Sequence, residues 1–291
     1  MSSKKIDYNN PLPEFEGLKF FVDAFNERRR IQQILPILYE EQPLTWKLYQ
    51  EEITAHLKKK KKVKILDVGC GSGFWGLLLK KKFSHASVVC LDKNPVAIER
   101  TRYNALLNQL EIDLVEGLYE KNQFKHNSFD LIILTPPYHL YDPKNSEHIP
   151  FFARGGDYGL HEFYSQSEIA FGHLKVGGKI LFNQMSAGLD VPDYLRFYYK
   201  KFGIGKMEYT NILPPIKTLT FLEGLYGKLD SQYLIDFANM MPILYYTSGI
   251  YTKNKSPFSV SENTLNKQQF LSRLKENWQT RIELHIEINR F

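Results

Sequence analysis

Val63-Lys-Ile-Leu-Asp67-Val-Gly69-Cys70-Gly71-Ser-Gly73 decides how the rest of the chain is read. Its first half is short, apolar and β-branched, the composition of a strand buried on both faces. Its second half is rich in glycine, which allows positive φ and lets a ligand lie against bare backbone. The run Phe74-Trp-Gly-Leu-Leu-Leu then predicts a helix to about residue 83. A helix start offers unpaired N–H groups and the positive end of its dipole. A second buried strand, Ser87-Val-Val-Cys-Leu-Asp92, comes next, and Asn94-Pro95 supplies a cap and a first-turn proline for another helix. Asp92 closes that second strand, where a carboxylate is placed to accept hydrogen bonds from ribose hydroxyls.

Working outward, the alternation continues. Strands are predicted at 111–115 and at Phe129-Asp-Leu-Ile-Ile-Leu134, a helix near 161–174, and a strand from Lys179 after the turn at Gly177-Gly178. Strands alternating with helices mean βαβ units and a mostly parallel sheet with right-handed crossovers. Upstream, residues 15–57 read as helical, with Phe20, Phe21, Ala24 and Phe25 at helical spacing and Pro36 and Pro43 as breaks. Downstream, Pro242 to Tyr251 reads as a strand. Ile282, Leu284, Ile286 and Ile288 alternate with Glu283, His285 and Glu287 as a half-buried strand. The expected division is a helical N-terminal region, 1–62, a central unit, 63–255, and a C-terminal helix and strand, 256–291.

The chain has 291 residues, 43% hydrophobic and 24% charged, which excludes a disordered polypeptide. No stretch approaches the roughly 18 apolar residues of a membrane helix, and the first ten residues lack the apolar core of a secretory signal. Cys70 and Cys90 cannot form a disulfide framework, so a reducing cytoplasm is expected. Lys and Arg number 38 against 32 Asp and Glu, a net +6 that mildly favours an acidic partner such as nucleic acid. Much of that excess sits in Lys58 to Lys62 and Lys64, which reads as a solvated helix end. The histidines show no metal-ligand spacing, and no metal is expected.

Gly71-Ser-Gly73-Phe-Trp-Gly76 formally matches the dinucleotide fingerprint, but that fingerprint begins directly after its strand. Counted from Gly69, Phe74 stands where the third glycine belongs. Asp67-x-Gly-x-Gly-x-Gly instead closely resembles the cofactor loop of class I S-adenosylmethionine (SAM) methyltransferases. The resemblance implies an α/β, Rossmann-like, doubly wound, mostly parallel seven-stranded sheet. It implies that Asp67, Gly69, Cys70, Gly71 and Gly73 hold the methionine part of SAM, with Asp92 and Lys93 at the ribose. An acid beside the loop suits a ligand bearing an ammonium group better than a pyrophosphate. Cys70 reads as the small packing residue that the loop needs. Gly117 stands where relatives place an acid near adenine, so Leu118 is expected to stack there.

Thr135-Pro136-Pro137-Tyr138, at the end of the fourth strand, resembles the (N/D/S)-P-P-(Y/F) motif of methyltransferases acting on planar nitrogens. The lone pair of such a nitrogen is delocalised, and acceptors around its hydrogens both hold it and favour nucleophilic charge. Two prolines fix φ and remove two N–H donors, leaving a stiff loop of carbonyl oxygens with Pro136 the natural acceptor. Tyr138 can stack on a flat base or amide. Thr135 stands where most relatives carry Asn, Asp or Ser, and the resemblance implies that it also borders the cofactor. Ala153-Arg-Gly155-Gly156-Asp-Tyr-Gly159-Leu160 looks like a further segment of the HemK/PrmC-type glutamine methyltransferases, expected to cover the target. The acceptors so implied are a base in RNA or DNA, a glutamine in a protein, or a small metabolite. The alternative is a SAM-fold binding protein that transfers nothing.

Overall fold

Glu16 and Gly17 both take positive φ, 50° and 72°, and turn the chain between β1 (Glu14–Phe15) and β2 (Leu18–Lys19). Two successive positive-φ residues are the geometry of a tight hairpin turn. Residues 14–19 are therefore a hairpin and not the start of the helix expected over 15–57. The aromatic spacing that suggested it serves burial instead: the rings of Phe15 and Phe20 lie 5.3 and 5.4 Å from that of Phe74. The computed structural model describes residues 14–22, 37, 41–144, 153–266 and 268–269. Ala24, Phe25, Pro36 and the expected strand at 282–288 lie outside these.

Pro43 opens helix α1 (Gln42–Lys58) rather than breaking one, since its missing N–H falls in the first turn. The lysine run follows as an exposed helix end, except that Lys60 bonds Asp130. Then come β3 (Val63–Val68), α2 (Phe74–Lys82), β4 (Ala86–Asp92), α3 (Pro95–Leu107), β5 (Asp113–Glu116) and β6 (Phe129–Leu134). Asn94 caps α3 by accepting the N–H of Val96, as its sequence predicts. The second half runs α4 (His161–His173), β7 (Leu174–Gly188), α5 (Asp193–Lys201), β8 (Ile204–Asn211), β9 (Ile216–Lys217), α6 (Thr218–Tyr226), α7 (Gln232–Met240), β10 (Ile243–Pro257) and β11 (Ser259–Thr264).

The strands form one sheet in the order β11-β8-β10-β7-β6-β3-β4-β5, with β9 beside β10. Six of the expected strands are β10, β7, β6, β3, β4 and β5; β8, which the sequence does not announce, makes seven, and β11 and β9 extend the described sheet to nine. Strands β4, β3, β6 and β7 pair in parallel, and β10 enters antiparallel between β7 and β8. The chain moves outward from β3 to β5 and then crosses back to β6 on the other side of β3. That reversal opens a crevice at the carboxyl ends of β3 and β6, where a doubly wound sheet binds its ligand.

One face of the sheet is covered by the hairpin, α1 and α2, through Phe15, Leu18, Trp46, Ile53 and Leu78. The other is covered by α4 and α5, through Phe163, Tyr194 and Tyr198. A third cluster joins α6 and α7 to Leu140 and Leu244 above the sheet. Because α1, α2 and α5 run antiparallel to the parallel strands, their lysine-rich last turns fall at the amino ends of those strands. Cations there complement the negative ends of the helix dipoles.

Gly76 lets α2 lie directly on β4: a Cβ at this position would come 2.1 Å from Cys90 Sγ and 3.5 Å from Asp67 Oδ2. Gly76→Ala should lower stability by about 1–3 kcal/mol, the usual cost of overpacking. Cys90→Ala in the same chain should recover much of that loss in denaturant titrations, because the two atoms compete for one space.

Candidate active site

Asp67 ends β3 with its carboxylate buried, 1% exposed, under the first turn of α2. Its Oδ2 accepts the N–H of Gly76 at 3.0 Å, while Oδ1 is buried with no hydrogen-bond partner. Burial, partly offset by Gly76 and reinforced by the neighbouring Asp92 charge, pushes its carboxyl up to about 7. The loop beyond is pinned from the β4–α3 side. Leu91 O accepts the N–H groups of Gly69 and Cys70, and Thr101 Oγ1 donates to Gly71 O. A Cβ on Gly73, whose φ is 81°, would strike Thr101 Cγ2 at 2.7 Å. Gly69 is exposed, and a Cβ there would meet only Thr135 O, at 4.0 Å across the crevice.

Asp92 accepts the N–H of Gly71 on Oδ2 at 3.0 Å and that of Asn94 on Oδ1 at 2.9 Å. Each oxygen keeps a further lone pair. Burial raises its pKa against those bonds. Lys93 is exposed, with Nζ 3.9 Å from Glu162. Leu118 is 60% exposed beside the end of β5, and Gly117 N–H bonds Asp92 O. Cys70 is buried, with Sγ 3.5 Å from Thr101 Oγ1. A hydrogen bond with Cys90 lowers its pKa, but burial and the nearby Asp67 and Asp92 charges outweigh it and push the thiol up, in keeping with a packing residue. The crevice thus brings together Asp67, Gly69, Gly71, Asp92 and Leu118. An orphaned buried carboxylate oxygen, open backbone and a second carboxylate fit a nucleoside that carries an ammonium group.

The opposite lip is the loop after β6. Thr135, Pro137 and Tyr138 are half-buried and Pro136 is buried. Bare glycine backbone supports this loop: a Cβ on Gly155 would lie 2.8 Å from Tyr138 Cα, and one on Gly159 2.5 Å from Tyr138 O. The 153–160 segment therefore underpins the lip, and it is tied to it by His139 N–H on Ala153 O. Gln184 Nε2 donates to Gly159 O, and its Oε1 is buried without a partner.

Sequence reasoning passed over several residues here. Tyr138 donates its hydroxyl hydrogen to Glu41, at the start of α1, and lies 3.5 Å from the Tyr246 hydroxyl of β10. Tyr158 stacks on Phe237 and Tyr233 of α7, with centroids 4.9 and 5.9 Å away. Tyr226 donates to Leu140 O, and Ser231 to Asp142. No local pattern in the sequence marks these contacts, which join residues 75 or more positions apart. Among the described residues, this end carries Asp92, Asp142, Asp157 and, in the first turn of α4, Glu162 against Lys93, Lys144 and Arg154, with Glu41 buried beneath. No group of three potential metal ligands occurs among the described residues.

Asp67 and Glu41 both bind protons more tightly when folded than their ordinary carboxyl values allow. Stability from these groups is greatest in acid and is lost as pH rises from about 4 through about 7. Each pKa unit corresponds to about 1.4 kcal/mol at most. Asp67→Asn should therefore raise the thermal midpoint of the ligand-free protein at pH 8, and by clearly less at pH 5.

Residues 51–152 match the family "methyltransferase small domain". A release factor glutamine methyltransferase of Flavobacterium psychrophilum is 29% identical over 62% of this chain and 62% of its own length. A ribosomal RNA small subunit methyltransferase C of Haemophilus influenzae is 28% identical over 53% of the chain and 42% of its length. The chain thus spans less than two thirds of these relatives. A methyltransferase of Pyrococcus furiosus with a solved structure is 20% identical over 70% of the chain and 82% of its own, with a TM-score of 0.40. Residues 51–152 are thus similar to the methyltransferase small domain, and the doubly wound sheet around them is the one that the resemblance to class I methyltransferases implied.

Proposed function

We propose that this chain is a SAM-dependent N-methyltransferase acting on a planar nitrogen, and that its favoured acceptor is the side-chain amide of a protein glutamine. The observation that carries the reading is the facing of Gly69 and Thr135 across the crevice: bare backbone of the donor loop and a carbonyl of the acceptor loop lie within one ligand's reach. On this reading residues 63–255 are the catalytic unit, flanked by 1–62 and 256–291.

Bound in the crevice, SAM supplies a methyl group on a positively charged sulfur. Asp67 offers its unpartnered Oδ1 to the ammonium group, and Asp92 its spare lone pairs to the ribose. Leu118 offers apolar surface to the adenine. Gly69, Gly71 and Gly73 keep side chains out of the way, with Cys70 filling the space beneath and Lys93 at the rim. Carbonyl oxygens of Thr135 and Pro136 accept from the two hydrogens of the target amide, and Pro137 stiffens them. The Tyr138 ring closes on its flat face. Acceptors that align the nitrogen and favour its lone pair supply positional and electrostatic catalysis. The proton released on methylation passes to water.

The choice of glutamine rests on charge. The lysine-rich helix ends sit at the opposite end of the sheet, and the described residues of the crevice rim include more acids than bases. A phosphate backbone is attracted by lysine and arginine, so this rim suits a neutral or basic polypeptide better than RNA. The name of the Flavobacterium relative agrees with this, and that of the Haemophilus relative keeps a ribosomal RNA base as the second reading. Two free, buried cysteines suit the reducing cytoplasm expected for such an enzyme.

With methyl-labelled SAM and a cell extract, label should enter material that protease releases and ribonuclease leaves. Ribonuclease sensitivity would favour the second reading. No transfer, with SAM still raising the thermal midpoint, would make the chain a binding protein. Tyr138→Ala should lower transfer at least about a hundredfold while SAM affinity, by calorimetry, stays within about twofold. SAM affinity itself should weaken as pH falls below about 7, because protonation of Asp67 removes the partner of the ammonium group. Affinity unchanged between pH 8 and pH 6 would remove Asp67 from the site.

A further inference from the structure

Glu41 occupies the capping position of α1, yet its side chain makes no capping bond. The carboxylate turns inward instead and is 6% exposed. The titratable groups that face it are Tyr138, from the loop after β6, and Tyr246, from β10. From its own helix, the backbone N–H of Thr45 bonds Glu41 O, and the Thr45 hydroxyl is engaged with Ser248. The two rings lie 6.1 Å apart at 51°. Among the described residues no cation and no further titratable group contributes to its environment, and burial pushes its carboxyl up to about 7 against the two phenolic bonds.

A buried carboxylate without a cation costs stability, and a serine or aspartate would cap the helix without that cost. What the carboxylate gains is a grip on two phenols. An ionised carboxylate accepts both O–H bonds as charge-assisted bonds, about twice as strong as neutral ones. A protonated one keeps weaker acceptor capacity and adds a hydrogen of its own. We propose that Glu41 is a positioning residue of the acceptor site, acting through Tyr138: as a carboxylate it clamps the tyrosine hydroxyl, with Tyr246 as second donor, and so fixes the ring face presented to the methyl acceptor. This rests on the methyltransferase reading and adds to it a control of transfer by pH that does not act through SAM.

The test measures transfer rate against pH with SAM saturating, so that Asp67 and cofactor affinity drop out. The wild-type rate should fall several-fold from pH 8 to pH 6, with a midpoint near 7. Glu41→Gln keeps an acceptor but cannot titrate. It should give a lower rate that is flat over this range, with SAM affinity unchanged. Glu41→Ala should be slower still. Tyr246→Phe removes a bond that favours the charged form, so the midpoint should move to higher pH. A limb that persists in Glu41→Gln, or a midpoint that Tyr246→Phe leaves in place, would overturn the proposal. Infrared titration of the folded protein carrying carbon-13 glutamate separates this from the methyltransferase reading. A carboxyl titrating near 7, absent in Glu41→Gln and shifted up in Tyr138→Phe, supports the clamp even if no transfer is found. Its absence in the wild type refutes the clamp even if transfer is found.

Discussion

The bond from Gly76 N–H to the buried Asp67 carboxylate holds the end of β3 to the first turn of α2, and the rest of the crevice follows from it. A helix N-terminus presents unpaired N–H groups and positive potential, which makes a carboxylate tolerable in a place that would otherwise expel it. Only one oxygen is used in this way; the other is buried and unpartnered. Its cost appears in the raised pKa, and a cationic ligand is the natural way to offset it. The same contact requires glycine at 76, because α2 must approach Cys90 of β4 closely enough for the carboxylate to reach the helix. Strand, turn and helix are thereby locked into a single path for the 69–73 loop.

The acceptor lip has no comparable anchor in its own sequence. Two prolines stiffen the loop after β6 but also remove the N–H groups that could have tied it down. Its support comes from elsewhere: the glycine backbone at 155 and 159, Gln184 beneath Gly159, the hydroxyls of Tyr226 and Ser231, and Glu41 on Tyr138. The side built on β3 is thus local and self-contained, while the lip after β6, the acceptor side in the proposed reaction, is assembled from both ends of the chain. A fold of this kind can keep one cofactor and change its acceptor by changing its flanks.

That division explains what could be read in advance. Strands 63–68 and 129–134, the Asn94 cap, and the place of Thr135 to Tyr138 at a strand end are local features, and periodicity and turn chemistry reveal them. At the 14–19 hairpin the expectation of a helix leans on Phe20, Phe21, Ala24 and Phe25, and Phe20 in fact packs on Phe74 from the end of the hairpin. Glu16-Gly17 was the competing signal. Strand β8 escaped because Gly205 and the charged Lys206 and Glu208 interrupt its apolar run. Glu41 could not be found at all. Its burial depends on Tyr138, 97 residues away, and nothing in Glu-Gln-Pro says that the acid points inward.

The net charge of +6 illustrates a different limit. Taken as a number, it points to a polyanionic partner. In the fold, helices that cover a parallel sheet all end at the amino ends of the strands, and lysine there is favoured by the negative ends of their dipoles. His56 and Lys58 of α1, Lys80 to Lys82 of α2, and Lys200 and Lys201 of α5 occupy those turns. Much of the excess therefore has a cause in the architecture itself, at the end of the molecule farthest from the crevice. An α/β protein of this kind can be basic overall and still present a neutral or acidic mouth. For such folds the sign of the charge at the carboxyl ends of the strands, rather than the total, bears on what the site will accept.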